Sequence, residues 1–264
     1  MRPNKLHEIW AKGGAAINGW LHIPHGFAAE VMAAQAWDSL TIDLQHGPID
    51  FGQALTMLQA VSASEATPLA RVPWNEPGII MKLLDAGCYG IICPMVNTPD
   101  EARRFVGACR YPPDGYRSFG PTRVQLYAGG DYPLHANETV VTMAMIETRQ
   151  AIDDLDAILD TPGLDAIYVG PSDLSQSLIG RPALDHREPP LSEVIEAIVV
   201  AARKRGIIAG IHTGSPDYAR HIIERGYQFV TIQSDARLLA DGIRRALELV
   251  RGEDGSPPVA GGAY

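Results

Sequence analysis

Six ionisable side chains stand where short apolar runs of this 264-residue sequence end: Asp43, His46, Arg71, Glu147, Asp173 and His212. Glu147 and Asp173 form the most specific pair. Carboxylates from neighbouring strand ends repel unless a proton or a cation separates them. With few other ligands in reach, the cation that fits is Mg²⁺ or a similar octahedral divalent metal. Each acid taken singly could instead cap a helix. Arg71, in Leu-Ala-Arg-Val-Pro, ends an apolar strand, where a guanidinium needs an anion, either a substrate carboxylate or oxyanion or a structural acid of the fold. His46, in Asp-Leu-Gln-His-Gly-Pro, has the local setting of a general base. Gly170-Pro171-Ser172-Asp173 opens a helix whose Ser172 and Asp173 amides could face an anion. His22 and His25 are separated by Ile-Pro, which prevents helical presentation of a metal pair, and read as structural or peripheral.

Such residues need a frame that brings strand ends together. Candidate strands span 21–23, 39–44, 68–72, 90–93, 140–146, 166–169, 207–211 and 229–232, mostly apolar throughout, as strands covered on both faces are. Helical patterns separate them. Thr98-Pro99-Asp100-Glu101 is a helix start, and Ala102, Phe105, Val106 and Cys109 continue it as one apolar stripe facing a sheet. Ile152, Leu155, Ile158 and Leu159 repeat the pattern, as do Leu239, Ile243, Ala246, Leu247 and Val250 near the end. Eight alternations predict an α/β fold, a single-domain (β/α)8 TIM barrel over residues 1–251, with a flexible tail at 252–264. A doubly wound sheet is the competitor, but no G-x-G-x-x-G follows the first strand, so no nucleotide cofactor is expected. The turn-rich stretch 111–137 predicts a long lid or binding loop.

Composition narrows the function. There are 22 basic and 31 acidic residues, net −9, with no basic block, which argues against nucleic acid and anionic membrane surfaces as partners. No apolar run suits a bilayer span, and the opening MRPNKLHEIW lacks the core of a signal peptide; the expected location is cytoplasmic. Cys88, Cys93 and Cys109 sit in apolar context and predict buried thiols. The four lysines decide more. Lys5 and Lys12 precede the first strand, and Lys82 and Lys204 fall within helical patterns, so none is placed for Schiff-base chemistry in a barrel mouth.

The blocks TIDLQHGPID, ARVPWNEP, KLLDAGCYGIICPMV, RYPPDGYRSFG, MIETRQA and YVGPSDLS, spread over nearly the whole chain, resemble the HpcH/HpaI family of class II pyruvate aldolases. The resemblance implies reversible cleavage of 4-hydroxy-2-oxo acids to pyruvate, or a related 2-oxo acid, and an aldehyde. It implies Glu147 and Asp173 as ligands of Mg²⁺, Mn²⁺ or Co²⁺, and Arg71 as the residue that stabilises the enolate. His46 matches the proton-transfer histidine, Asp85 the acid that raises its basicity, and Ser172 the amide that meets the pyruvate carboxylate. A homohexamer with an exchanged terminal helix is implied as well. Three positions depart from the family pattern: Gln45 where many relatives have glutamate, Met145 where a substrate-contacting glutamine stands, and His212 at a usually apolar site. Acceptor preference is what they put in question. Rival readings are a citramalyl- or malyl-CoA lyase-like or phosphonopyruvate-type enzyme on the same barrel, and a non-catalytic barrel.

Overall fold

Asn18 sits in the middle of the first strand and is fully buried, yet none of its polar atoms is wasted. Its amide donates to Thr231 Oγ1 at 2.9 Å, and its carbonyl accepts from Ser39 and Thr41 at 2.8 and 3.0 Å. One side chain thus stitches three strands inside a barrel, because a buried polar group is tolerated only when its hydrogen bonds are met. The computed structural model describes residues 1–251; the expected flexible tail at 252–264 lies outside the described residues. Its strands are β1 (Ala16–Leu21), β2 (Ser39–Asp43), β3 (Thr67–Arg71), β4 (Gly90–Cys93), β5 (Val141–Ile146), β6 (Ala166–Val169), β7 (Ile208–Thr213) and β8 (Phe229–Ser234). They pair in sequence order, all parallel, and β8 closes on β1. This is the expected (β/α)8 barrel.

Two clusters hold it. Strand and helix residues such as Leu40, Ile42, Leu58, Leu84, Phe105 and Ile158 form the layer between sheet and helices. Leu69, Ile92, Val141, Met143, Ala166 and Phe229 fill the barrel interior, and the helix Lys5–Ala11 closes one end by packing Leu6 and Trp10 onto them. The barrel is therefore plugged where its strands begin and open only where they end.

Four expectations need correction. β1 runs from Ala16 to Leu21 rather than over 21–23, since the polar Asn18 and Gly19 disguise an interior strand. Gly19 is needed there, because a Cβ would stand 2.6 Å from Leu40 Cδ2. The stretch 111–137 carries the helices Val124–Ala128 and Tyr132–Thr139 and joins a helix to the start of β5, at the plugged end. It is no lid over its own barrel mouth. The helix around residues 149–159 breaks in two, Arg149–Asp153 and Leu155–Leu159. The last helix, Asp235–Arg251, does not turn its apolar stripe to the sheet: Leu239, Ile243, Leu247 and Val250 are exposed. The three cysteines are buried and free, as expected.

Candidate active site

Register builds the first half of the site. Asp43 and Arg71 are partners across β2 and β3, so both side chains leave the barrel at the same level. Arg71 donates Nε–H to Asp43 Oδ1 at 2.8 Å and Nη2–H to Oδ2 at 2.5 Å, a two-pronged ion pair. The structural acid that might have met Arg71 exists, and it leaves Nη1 without a hydrogen-bond partner among the described residues. Trp20 lies beneath the guanidinium, 4.9 Å from it, and donates Nε1–H to Asp43 Oδ2 at 3.1 Å. His22 Nε2 completes the set at 2.7 Å from the same oxygen. Burial pushes the Asp43 carboxyl up, but the hydrogen bonds from His22 and Arg71 and the Arg71 charge outweigh it, holding it well below the usual carboxylate range.

The second half is built differently. Glu147 follows β5, is 2% exposed, and accepts a 2.7 Å hydrogen bond from the Met95 amide after β4. Met95 has φ 55°, a left-handed conformation uncommon outside glycine and typical of backbone held in place at a working site. The other Glu147 oxygen passes over Gly170, where any Cβ would collide with it. Burial raises the Glu147 pKa to about 7, the Met95 hydrogen bond opposes the rise, and the Asp173 charge adds to it. Asp173 lies in the first turn of the helix Pro171–Ile179.

The capping alternative for both acids falls here. Thr148, not Glu147, caps the helix Arg149–Asp153 by accepting from the Ala151 amide. The helix Pro171–Ile179 has no side-chain cap at all, whereas those starting at Phe51, Pro77, Pro99 and Pro216 have Asp50, Glu76, Thr98 and Ser215. Its open N-terminus leaves amides of Ser172 and Asp173 for a ligand anion.

Both halves meet in a cleft of about 160 Å³ whose walls include Arg71, His46, Ser172, Asp173, His22 and His212. A larger groove of about 480 Å³ lies outside, between the helices Leu191–Lys204 and Pro216–Glu224. Its Arg187 and Arg225 are paired with Asp217 and Glu196, so it offers little free charge. In the cleft, Met145 and Tyr168 form the inner wall. His212, within β7, meets the Tyr168 hydroxyl at 3.2 Å through Nδ1; burial, then the Arg71 charge, lowers its pKa to about 4, so it is a neutral ring. His46 is exposed on the rim. Asp85 is not brought to His46. It ends the helix Pro77–Ala86, at the plugged side of the barrel, and accepts a 2.7 Å hydrogen bond from the buried Arg117. Lys5 lies on and Lys12 just after the helix that plugs the far end of the barrel, Lys82 and Lys204 lie on outer helices, and no lysine lines the cleft among the described residues.

Residues 20–242 match the HpcH/HpaI aldolase/citrate lyase family. The chain belongs to that family. It is 43% identical over 244 residues to a hydroxypyruvate/pyruvate aldolase of Rhizorhabdus wittichii, covering 92% of this chain and 97% of the relative. It is 35% identical to a 4-hydroxy-2-oxo-heptane-1,7-dioate aldolase of Salmonella dublin, covering 90% and 91%. The crystal structure of an HpcH/HpaI aldolase/citrate lyase family protein from Burkholderia cenocepacia superposes with a TM-score of 0.87 at 30% identity, over 94% of this chain and 98% of that one.

Two members of the site are not evident from sequence. His22 reads as peripheral because Pro24 rules out a helical metal pair with His25, and a first strand placed over 21–23 puts the histidine inside the strand, whereas it follows β1. Trp20 carries no ionisable group and gives no signal of its own. Asp43 stands out by position, but its role as the shared acceptor depends on contacts from β1, from the histidine just after it and from β3.

Proposed function

We propose that this protein is an aldolase that reversibly cleaves 4-hydroxy-2-oxo acids to an aldehyde and pyruvate or hydroxypyruvate, with a divalent cation between Glu147 and Asp173. The names borne by the relatives support the reaction, and one observation carries the site: a buried Glu147 whose charge the protein does not compensate, beside a second carboxylate and an uncapped helix start. Two hard oxygen donors suit Mg²⁺, Mn²⁺ or Co²⁺. Among the described residues no cluster of three or more metal-ligating side chains exists, so Glu147 and Asp173 would hold the cation with oxygens from outside the protein.

Held by Glu147 and Asp173, such a cation would supply Lewis acidity for a developing enolate charge. The chain's own groups do the rest. Arg71 points a fixed charge at the developing enolate, and Asp43 and Trp20 hold it in place so that no reorganisation is needed during reaction. The Ser172 and Asp173 amides receive the substrate carboxylate at the helix start. His46, on the open rim, exchanges protons with the pyruvate methyl carbon. Asp85 reaches a His46 only from a second copy of the chain, because the two lie at opposite ends of one barrel. The exposed stripe of Leu239, Ile243, Leu247 and Val250 supports a homo-oligomer, and the family resemblance points to a hexamer; sedimentation should give six times 28.5 kDa. No helix among the described residues is long and apolar enough to cross a membrane; the proposed location is cytoplasmic.

The test is proton exchange. Pyruvate in D₂O with Mg²⁺, Mn²⁺ or Co²⁺ should lose its methyl proton signal when the protein is added. Exchange that persists in EDTA and in Glu147→Ala contradicts the proposal.

A further inference from the structure

Of the three histidines on the cleft, His22 alone is oriented by a carboxylate among the described residues of its own chain and retains an unbonded ring nitrogen. Its Nε2 lies 2.7 Å from Asp43 Oδ2, and Asp43 is ionised, hence an acceptor only. The ring proton of neutral His22 must therefore sit on Nε2, and Nδ1 carries a lone pair. Nδ1 has no hydrogen-bond partner among the described residues and is not sealed from the cleft. The side chain is 32% exposed, against 0% for Asp43. The backbone is held too: Asp235 Oδ1 accepts from the His22 amide at 2.8 Å, and Oδ2 from the Ile23 amide at 3.1 Å. His212 is occupied by Tyr168, and His46 has no orienting acid among the described residues of its own chain.

We infer that His22, aligned by Asp43, is a second proton-transfer residue of the site, acting on the 4-hydroxyl of the substrate. The inference rests on the aldolase reading and deepens it. Aldol cleavage moves two protons at two places, one from the hydroxyl oxygen and one to the enolate carbon. In the cleavage direction Nδ1 accepts the hydroxyl proton. The O–H electron pair becomes the second bond of the aldehyde carbonyl, the carbon–carbon bond breaks, and its electron pair forms the enolate of the 2-oxo acid. The enolate carbon then takes a proton at the open rim, where His46 meets water. Imidazolium His22 keeps its charge against Asp43 until it releases the proton to solvent, which restores the starting state. His22 and Arg71 share one carboxylate, so the base and the charge that steadies the enolate are fixed relative to each other.

His22→Gln separates the roles. Glutamine can still donate to Asp43 from the position of Nε2, but it cannot take a proton. With Mn²⁺ loaded, two reactions are compared: cleavage of 4-hydroxy-2-oxobutanoate, and decarboxylation of oxaloacetate, which makes the same pyruvate enolate without removing a hydroxyl proton. Cleavage kcat should fall by about 100-fold or more, the usual range for a positioned proton-transfer group, while decarboxylation stays within about threefold. In His22→Ala, added imidazole should restore part of the cleavage. Cleavage within about threefold of wild type in His22→Gln overturns the inference. So does an equal loss in both reactions, which would mark His22 as a prop for Asp43 and Arg71. A wild-type protein inert in both reactions removes the aldolase reading itself, and this inference with it.

Discussion

The barrel mouth holds two buried carboxylates in opposite electrical conditions. Asp43 receives donors from three side chains and a guanidinium charge, so its own protein neutralises it. Glu147 receives one backbone amide and only a weak pull from the Arg71 charge, faces another acid, and through burial has its pKa raised to about 7. Burial alone raises both; partners decide which acid stays ionised. The contrast assigns their work. A satisfied carboxylate is a scaffold that aims the cations around it. An unsatisfied one attracts positive charge, and it costs the fold stability while none is bound.

The largest expected effect breaks the satisfied side. Asp43→Asn keeps one accepting oxygen but removes the charge and the second acceptor that Arg71 and His22 share, and urea unfolding should show a loss of about 3–5 kcal/mol, the usual cost of removing one member of a buried pair. The sign of its pH dependence is fixed. A depressed carboxyl contributes fully above 3.8, its ordinary value in the unfolded chain, and loses that contribution only as pH falls through its lower folded value. Across the range from about pH 5 to about pH 9 the Asp43→Asn penalty should therefore be constant. A penalty that fades at neutral pH would contradict the assignment.

Glu147→Gln should do the reverse. A carboxyl raised from 4.5 to about 7 contributes stability below the lower value and loses it as pH rises through the upper, a span worth about 3 kcal/mol. Metal-free Glu147→Gln should thus match wild type near pH 4.5 and exceed it by up to that amount at about pH 8, read as a higher Tm. Adding Mn²⁺ should close the gap by stabilising wild type alone. A metal-free wild type more stable than Glu147→Gln at about pH 8 would sink the idea that Glu147 is uncompensated.

Much of this is legible in the residues, for a physical reason. Strands covered on both faces are apolar throughout, so β2 to β6 and β8 stand out by composition, and the ionisable residues at their ends follow. Arg71, Ser172 and Asp173 reach the cleft on that logic alone, as does His46. The pattern misleads where the barrel interior is polar. Asn18 and Gly19 break the apolar run of β1, yet three hydrogen bonds satisfy the first and a close approach by Leu40 demands the second. That break shifts the apparent strand toward His22 and conceals its place at the mouth. The last helix misleads differently. Its apolar period is plain, but a period does not say whether the stripe meets its own barrel or another surface. Asp85 shows the same limit: its helix is visible, while the end of the barrel it occupies follows only from the chain's path.

The proton balance of metal binding tests the central claim most directly. A cation that occupies Glu147 must displace the proton held there. Calorimetric titration of Mn²⁺ in buffers of different ionisation enthalpy should show release of about 0.8 proton per ion at about pH 6.5, for a Glu147 pKa of about 7, falling to about 0.1 at about pH 8. Binding without proton release at the lower pH, or the same release in Glu147→Gln, would contradict it.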